Sequence, residues 1–221
     1  MLLEIATQLT RIVLILLMTF ETIGNVLDLI IFTRPRFLLS SRTLYFIATA
    51  IDNILAIYLA ILNRLPIDGF SIDVRSISPI LCKLRPHFGH MALALSPYFF
   101  ILACFDRYCS SSPSPTHRSW SNKTTAKRRI SGVIILVAFL YVHMPIFFEI
   151  QSNGTSTICF PQQEVYDSFW RIFYLIMYCF FPSICMTSPT STNVGDLHRR
   201  LDRNLMRLLF SHFLTQIACI L

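Results

Sequence analysis

Asp106, Arg107 and Tyr108 stand together in the stretch FFILACFDRYCSSS, residues 99–112. An acid beside a base at the end of an apolar run does no covalent chemistry by itself. It offers a charge pair. In a low-dielectric setting the carboxylate neutralises the guanidinium, and drawing the arginine to a new partner, or protonating the acid, shifts a two-state equilibrium. The plainer alternative is an interfacial arginine that keeps its head in water and its stem in the apolar layer. Further polar groups lie inside other apolar runs. Glu21, Asn25 and Asp28 fall at i, i+4 and i+7 on one helical face, and Asp52 and Asn53 sit midway along the next run. Such groups either only hydrogen-bond one helix to another or mark a functional interior. His87 and His90 put two imidazoles at i, i+3, but the sequence offers no third ligand, so they are read as packing or pocket lining and no metal is expected. There is no HExxH, GxSxG or P-loop, and the Cys and His residues do not cluster. Neither an enzyme nor a cofactor is expected.

These residues need elements to hold them, and the composition says which. Of 221 residues, 54% are hydrophobic and only 14% charged, against about 45–50% and about 25% in soluble domains. The apolar residues gather into runs that predict one transmembrane domain over 1–221, with spans near 12–33, 44–63, 82–108, 130–148, 169–187 and a partial sixth at 205–221. The first run contains Glu21 and Asp28 and lacks a small-residue cleavage site, so it is read as a span and not a signal peptide. A soluble bundle of buried helices is the alternative, and five consecutive runs near bilayer length disfavour it.

Charge gives the expected orientation. Thirteen of the nineteen Lys and Arg residues lie on one side: Arg34, Arg36, Arg42, Arg107, Arg118, Lys123, Lys127, Arg128, Arg129, Arg199, Arg200, Arg203 and Arg207. That side is expected to be cytosolic, with the N-terminus outside and the plasma membrane as location. The net charge of +7 falls in loops and not on one stripe, so membrane lipid and not nucleic acid is the expected neighbour. Cys82 and Cys159 then lie outside, where disulfides persist, and a bridge between them would tie the loop over the mouth of the bundle. The other five cysteines read as packing residues. The sequon at Asn153 falls on the side where glycosylation occurs, whereas the second, at Asn122, does not.

These residues together resemble the rhodopsin-like G-protein-coupled receptors, over spans one to five and part of six. The carrying residues are Gly24–Asn25, Asp52 or Asn53, Cys82, the Asp106–Arg107–Tyr108 triplet, Cys159, and Phe180–Phe181–Pro182. The interval of 25 residues from Cys82 to Arg107 is the most specific of them. The resemblance implies an all-α polytopic bundle of the seven-transmembrane type, with five complete spans and a partial sixth. It implies an extracellular ligand whose binding parts the cytosolic helix ends, so that Arg107 leaves Asp106 for a heterotrimeric G protein. Asn25 with Asp52 or Asn53 would form the interior polar or sodium site, and Pro182 a helix kink.

The style of SRTLYFIATAIDNIL is similar to invertebrate peptide receptors. Span three has no aspartate in its outer half to hold an amine; Lys83 and Arg85 at the outer mouth suit an acidic or carboxylate-bearing ligand, and His87 and His90 could line the same mouth. A peptide is preferred. The sequence departs from the family pattern in lacking a tryptophan in span four, a tyrosine two turns after Pro182, and the elements that follow in spans six and seven. A fragment of a receptor is therefore expected. The alternatives are a truncated, non-signalling relative that associates with full-length receptors, and, further off, a small transporter or channel, which would need repeats or broken helices.

Overall fold

The computed structural model describes residues 2–64, 78–152, 157–161 and 164–180. The chain is mostly helical: α1 (Leu2–Phe32), α2 (Ser41–Arg64), α3 (Pro79–Ser111), α4 (Pro115–Ser119), α5 (Lys123–Leu140), α6 (Met144–Phe147), then strands β1 (Phe148–Ser152) and β2 (Thr157–Pro161), and α7 (Glu164–Tyr174), which runs into a π-helical segment, Leu175–Phe180. Four stretches are long and apolar enough to cross a membrane: Thr7–Phe32, Ser41–Leu59, Pro79–Ser111 and Lys123–Phe147. A shorter apolar helix covers Ser168–Met177. The predicted sixth span and Pro182 lie outside the described residues, as does Asn153.

Helix α1 shows why water is the wrong solvent for this molecule. Ile12, Ile15, Leu16, Phe20, Ile23, Leu27 and Ile30 are all exposed along it. Soluble monomers rarely expose an apolar patch larger than a few hundred Å², whereas hydrocarbon accepts this surface without penalty. Helices long enough to satisfy their own backbone groups are also the form that lipid permits. This is a membrane-spanning helical bundle.

Within it α3 is the central member, touching α2, α5, α6, β1 and the π-helical segment, while α1 packs on α2. Small side chains let α3 approach its neighbours. Ala92 and Leu93 pack with Ala56 of α2, and Ala103 packs with Tyr45 of α2 and Ala126 of α5. The largest core cluster lies at the other end. It joins Cys82, Leu95 and Phe99 to Val137, Tyr141, Met144, Phe148, Cys159, Tyr166 and Trp170.

The helix ends follow local chemistry. Helix α5 starts seven residues before the predicted span, at Lys123, because Asn122 caps it: the side-chain oxygen accepts from the Thr125 N–H at 2.8 Å. The basic residues Lys127, Arg128 and Arg129 therefore lie within the helix and not in a loop. At the far end the helix stops at Leu140 and a turn leads to α6, where Pro145 sits at the start. Proline has no N–H for the carbonyl four residues back, that of Tyr141. Strands β1 and β2 form an antiparallel hairpin with Ile150 opposite Cys159, an element that the apolar runs do not announce.

Candidate functional site

The predicted site residues fall at two opposite ends of the bundle. The chain reverses direction between spans, so the C-terminal end of α3, the start of α2 and the segment before α5 meet at one end. The start of α3, the end of α5, the hairpin and α7 meet at the other.

At the first end Asp106 is fully buried. Its Oδ2 accepts hydrogen bonds from Ser41 Oγ at 2.8 Å and Ser121 Oγ at 2.9 Å, and the two hydroxyls lie 3.1 Å apart. Three segments 65 and 15 residues distant in sequence thus converge on one carboxylate oxygen. Hydrogen bonds to a charged acceptor are about twice as strong as neutral ones, so this clasp fixes the connection before α5 to the end of α3. Arg107 and Tyr108 are half-buried on the next turn positions. Ser112 closes the helix, its N–H bonding the Cys109 carbonyl, and Ser110 Oγ donates to the Arg107 carbonyl at 2.9 Å. Ser110, Ser111 and Ser112 therefore form the end of α3.

Beside the clasp lies a polar group that sequence reasoning missed. The Arg129 guanidinium stands over the Phe105 ring, 4.8 Å from its centroid. Its Nη1, the Tyr45 hydroxyl and Asp106 Oδ1 are all buried beside the clasp. Nothing in the linear order of residues pairs Ser41, Tyr45, Asp106, Ser121 and Arg129. Only the packing of α2, α3 and α5 does.

Midway along the bundle, Asn53 Nδ2 donates to Asn25 Oδ1 at 3.1 Å, and Asn25 Nδ2 donates to the Glu21 carbonyl at 2.8 Å. Asn25, Asp52 and Asn53 are all buried. Of the rivals in α2, then, Asn53 is the partner of Asn25, and Asp52 is buried with an Oδ2 that has no hydrogen-bond partner among the described residues. The face shared by Glu21, Asn25 and Asp28 is only partly internal: Asn25 is buried, Glu21 half-buried, and Asp28 exposed.

At the other end a disulfide joins Cys82, in the first turn of α3, to Cys159 on β2, with the Cα atoms 5.6 Å apart. It lays the hairpin across the bundle. His87 Nδ1 lies 2.9 Å from the Tyr141 carbonyl. A carbonyl only accepts, so the imidazole donates, as a second donor beside the Met144 N–H at 3.0 Å. His87 thereby ties α3 to the end of α5. His90 packs edge-on to Trp170, centroids 4.5 Å apart, and to Tyr174 at 5.8 Å. Lys83 and Arg85 are half-buried in the same turns of α3.

The centre of this end is a residue the sequence reading passed over. His143 shares a 2.6 Å hydrogen bond with the Tyr166 hydroxyl, and its ring stands within 5.3–6.3 Å of Tyr141, Tyr166, Phe169, Trp170 and Phe173. Burial pushes the Tyr166 phenol up to about 12. The signal was present in the aromatic spacing of VYDSFWRIFY, but it needed the position of His143 to give it meaning. Among the described residues no group of three or more His, Cys, Asp or Glu side chains is placed to hold a metal.

The fold and the two ends define a membrane-spanning helical protein whose ends are built differently: one closed by a disulfide, a hairpin and aromatic rings, the other by a buried carboxylate in a clasp of hydroxyls. No protein-family model matches the chain, and no curated protein matches it at a significant level.

Proposed function

We propose that this chain is a receptor of the rhodopsin-like, G-protein-coupled type, taking an extracellular ligand at the disulfide-bonded end and coupling to a heterotrimeric G protein at the Asp106 end. The observation that carries the reading is the placement of Asp106–Arg107–Tyr108 at one end of α3 and of the Cys82–Cys159 bridge at the other. One helix then spans from ligand mouth to switch. The Lys/Arg excess supports placing the Asp106 end in the cytosol, and so the disulfide, which needs an oxidising compartment, outside.

In this reading the resting state is held by the interactions of Asp106. Its carboxylate keeps the hydroxyls of Ser41, at the start of α2, and Ser121, before α5. A ligand that bears on the aromatic end favours the packing in which Arg107 turns to the G protein, and it can shift the equilibrium only by its differential affinity for the two packings. A peptide with an acidic or carboxylate group suits Lys83 and Arg85. His87 and Tyr141 tie α3 to α5 just beneath, which gives the mouth a rigid wall.

The test is resonance energy transfer between labelled G-protein subunits in cells expressing this chain, with peptide fractions as stimulus. Dissociation of the heterotrimer on stimulation, lost in Arg107→Ala at equal surface density, supports the reading. An unchanged response in Arg107→Ala assigns that residue to the interface alone.

A further inference from the structure

We propose that Ser121 is a phosphorylation site for an arginine-directed serine kinase, and that its phosphate releases Asp106 from the hydroxyl clasp. The inference rests on the orientation proposed above, which puts this end of the bundle on the side that holds ATP.

Ser121 lies in the bend between α4 and α5, half-buried, with Arg118, Ser119, Trp120, Asn122 and Lys123 all exposed around it. Arg118 stands three residues before it and Lys123 two after. A kinase whose substrate groove is lined with carboxylates recognises that pattern by charge-assisted hydrogen bonds to the guanidinium. Neighbouring hydroxyls fit less well. Ser119 has Thr116 at the position three before it, and Ser110, which follows Arg107 at the same interval, is inside α3 and already bonded to the Arg107 carbonyl. The five-residue α4 is the element that must open for Ser121 to enter a kinase cleft, and none of its residues is buried.

In the transfer, Ser121 Oγ attacks the γ-phosphorus of Mg-ATP. The Oγ–P bond forms as the bond to the ADP oxygen breaks, and the hydroxyl proton passes to the kinase's base. The product has lost the hydrogen that Ser121 donated to Asp106 Oδ2 across 2.9 Å. In its place stands a group of charge about −1.5 to −2 facing a carboxylate. An attractive contact has become a repulsive one. A better place is one residue away: Asn122 caps the 18-residue α5, whose first-turn N–H groups and Lys123 face an anion at that end. The phosphate turns outward to them, and the connection before α5 moves off Asp106, which keeps only Ser41.

The experiment uses the full chain in lipid nanodiscs, Mg-ATP and a purified kinase selective for arginine at the −3 position. Mass spectrometry is expected to find phosphate on Ser121, absent from Ser121→Ala. Phosphorylation is expected to lower the melting temperature by about 5 °C, from loss of one charge-assisted bond, and to speed tryptic cleavage after Arg118 about tenfold. Both effects should vanish in Asp106→Asn, and the cleavage rate keeps the test readable if that variant melts too low to compare. Phosphate on other residues with Ser121 bare, or the same change in Asp106→Asn, overturns the inference. In cells Asn122-Lys123-Thr124 is a sequon that only the opposite orientation exposes to glycosylation. A glycan on Asn122 would overturn the orientation and this inference with it. Asn122 bare, with Ser121 unmodified after kinase activation, overturns this inference alone.

Discussion

Removing the Cys82–Cys159 bridge should be the most damaging small change at the disulfide-bonded end, and its size can be worked out. The two cysteines are 77 residues apart in sequence. Closing a loop of that length from a free chain corresponds to about 4.5 kcal/mol in the chain-entropy account. A membrane chain is not free, however. If α3 and α5 stay associated in the unfolded reference state, the loop released runs only from the end of α5 to β2. That resembles the short-loop case, about 3 kcal/mol. The double variant Cys82→Ser/Cys159→Ser should thus lose roughly 3–4.5 kcal/mol, or roughly 6–18 °C in melting temperature for a chain of this size. Trp170 packs beside Tyr141 and His90 in the cluster that the bridge closes, so its fluorescence reports the melt in detergent. Surface delivery should fall in parallel. A melting temperature within about 2 °C of the parent would refute the reasoning, because it would mean that the hairpin holds its place without the bridge.

Further outcomes are expected from single contacts. Asn53→Ala should destabilise the α1–α2 pair by about 0.6–1.7 kcal/mol in an SDS titration. It should show little further loss with Asn25→Ala added, since each removes the same bond. Asn122→Ala should cost about 1 kcal/mol by removing the cap of α5, measured in the same titration, while Asn122→Ser keeps most of it. Tyr166 has a folded-state value near 12 against 10 in the open chain, so the stability tied to its neutral phenol is complete below pH 10 and is lost as pH rises toward 12. The parent should therefore lose more stability than Tyr166→Phe between pH 10 and pH 12. Equal pH profiles would remove the phenol from the account.

The long elements were legible because lipid makes a simple demand on sequence: some twenty apolar residues in a row. The four long helices lie where the apolar runs are, and the disulfide joins the two cysteines that the charge balance placed together outside. The helix ends were not legible in the same way. Lys127–Arg129 read as a loop because hydropathy ends before them, yet Asn122 starts the helix and the basic side chains ride on its first turns. The hairpin was hidden for a related reason: its five-residue strands carry too little periodicity to stand out from a loop.

The chemistry of the ends divides similarly. Asp106 was visible as an acid at the end of an apolar run, but the hydroxyls that hold it come from Ser41 and Ser121, which local sequence marks only as loop residues. His87 drew notice as a residue of the ligand mouth, and the structure adds a hydrogen bond from it to the Tyr141 carbonyl at the end of α5. His143 lies in span four amid apolar residues, and its ring of aromatics gathers from Tyr141, just after α5, and from α7. Pairings of this kind depend on which helices are neighbours, and a run of apolar residues says nothing of that.

The central claim is that the Asp106 end of this bundle acts on a G protein, and nucleotide exchange measures it most directly. The chain in nanodiscs is mixed with purified heterotrimers, and binding of a non-hydrolysable GTP analogue is followed for the parent, Asp106→Asn and Arg107→Ala. The account predicts exchange above that of empty nanodiscs, raised several-fold in Asp106→Asn, where the carboxylate no longer holds the resting state, and abolished in Arg107→Ala. Equal rates for all three and for empty nanodiscs, across every class of heterotrimer, would contradict it.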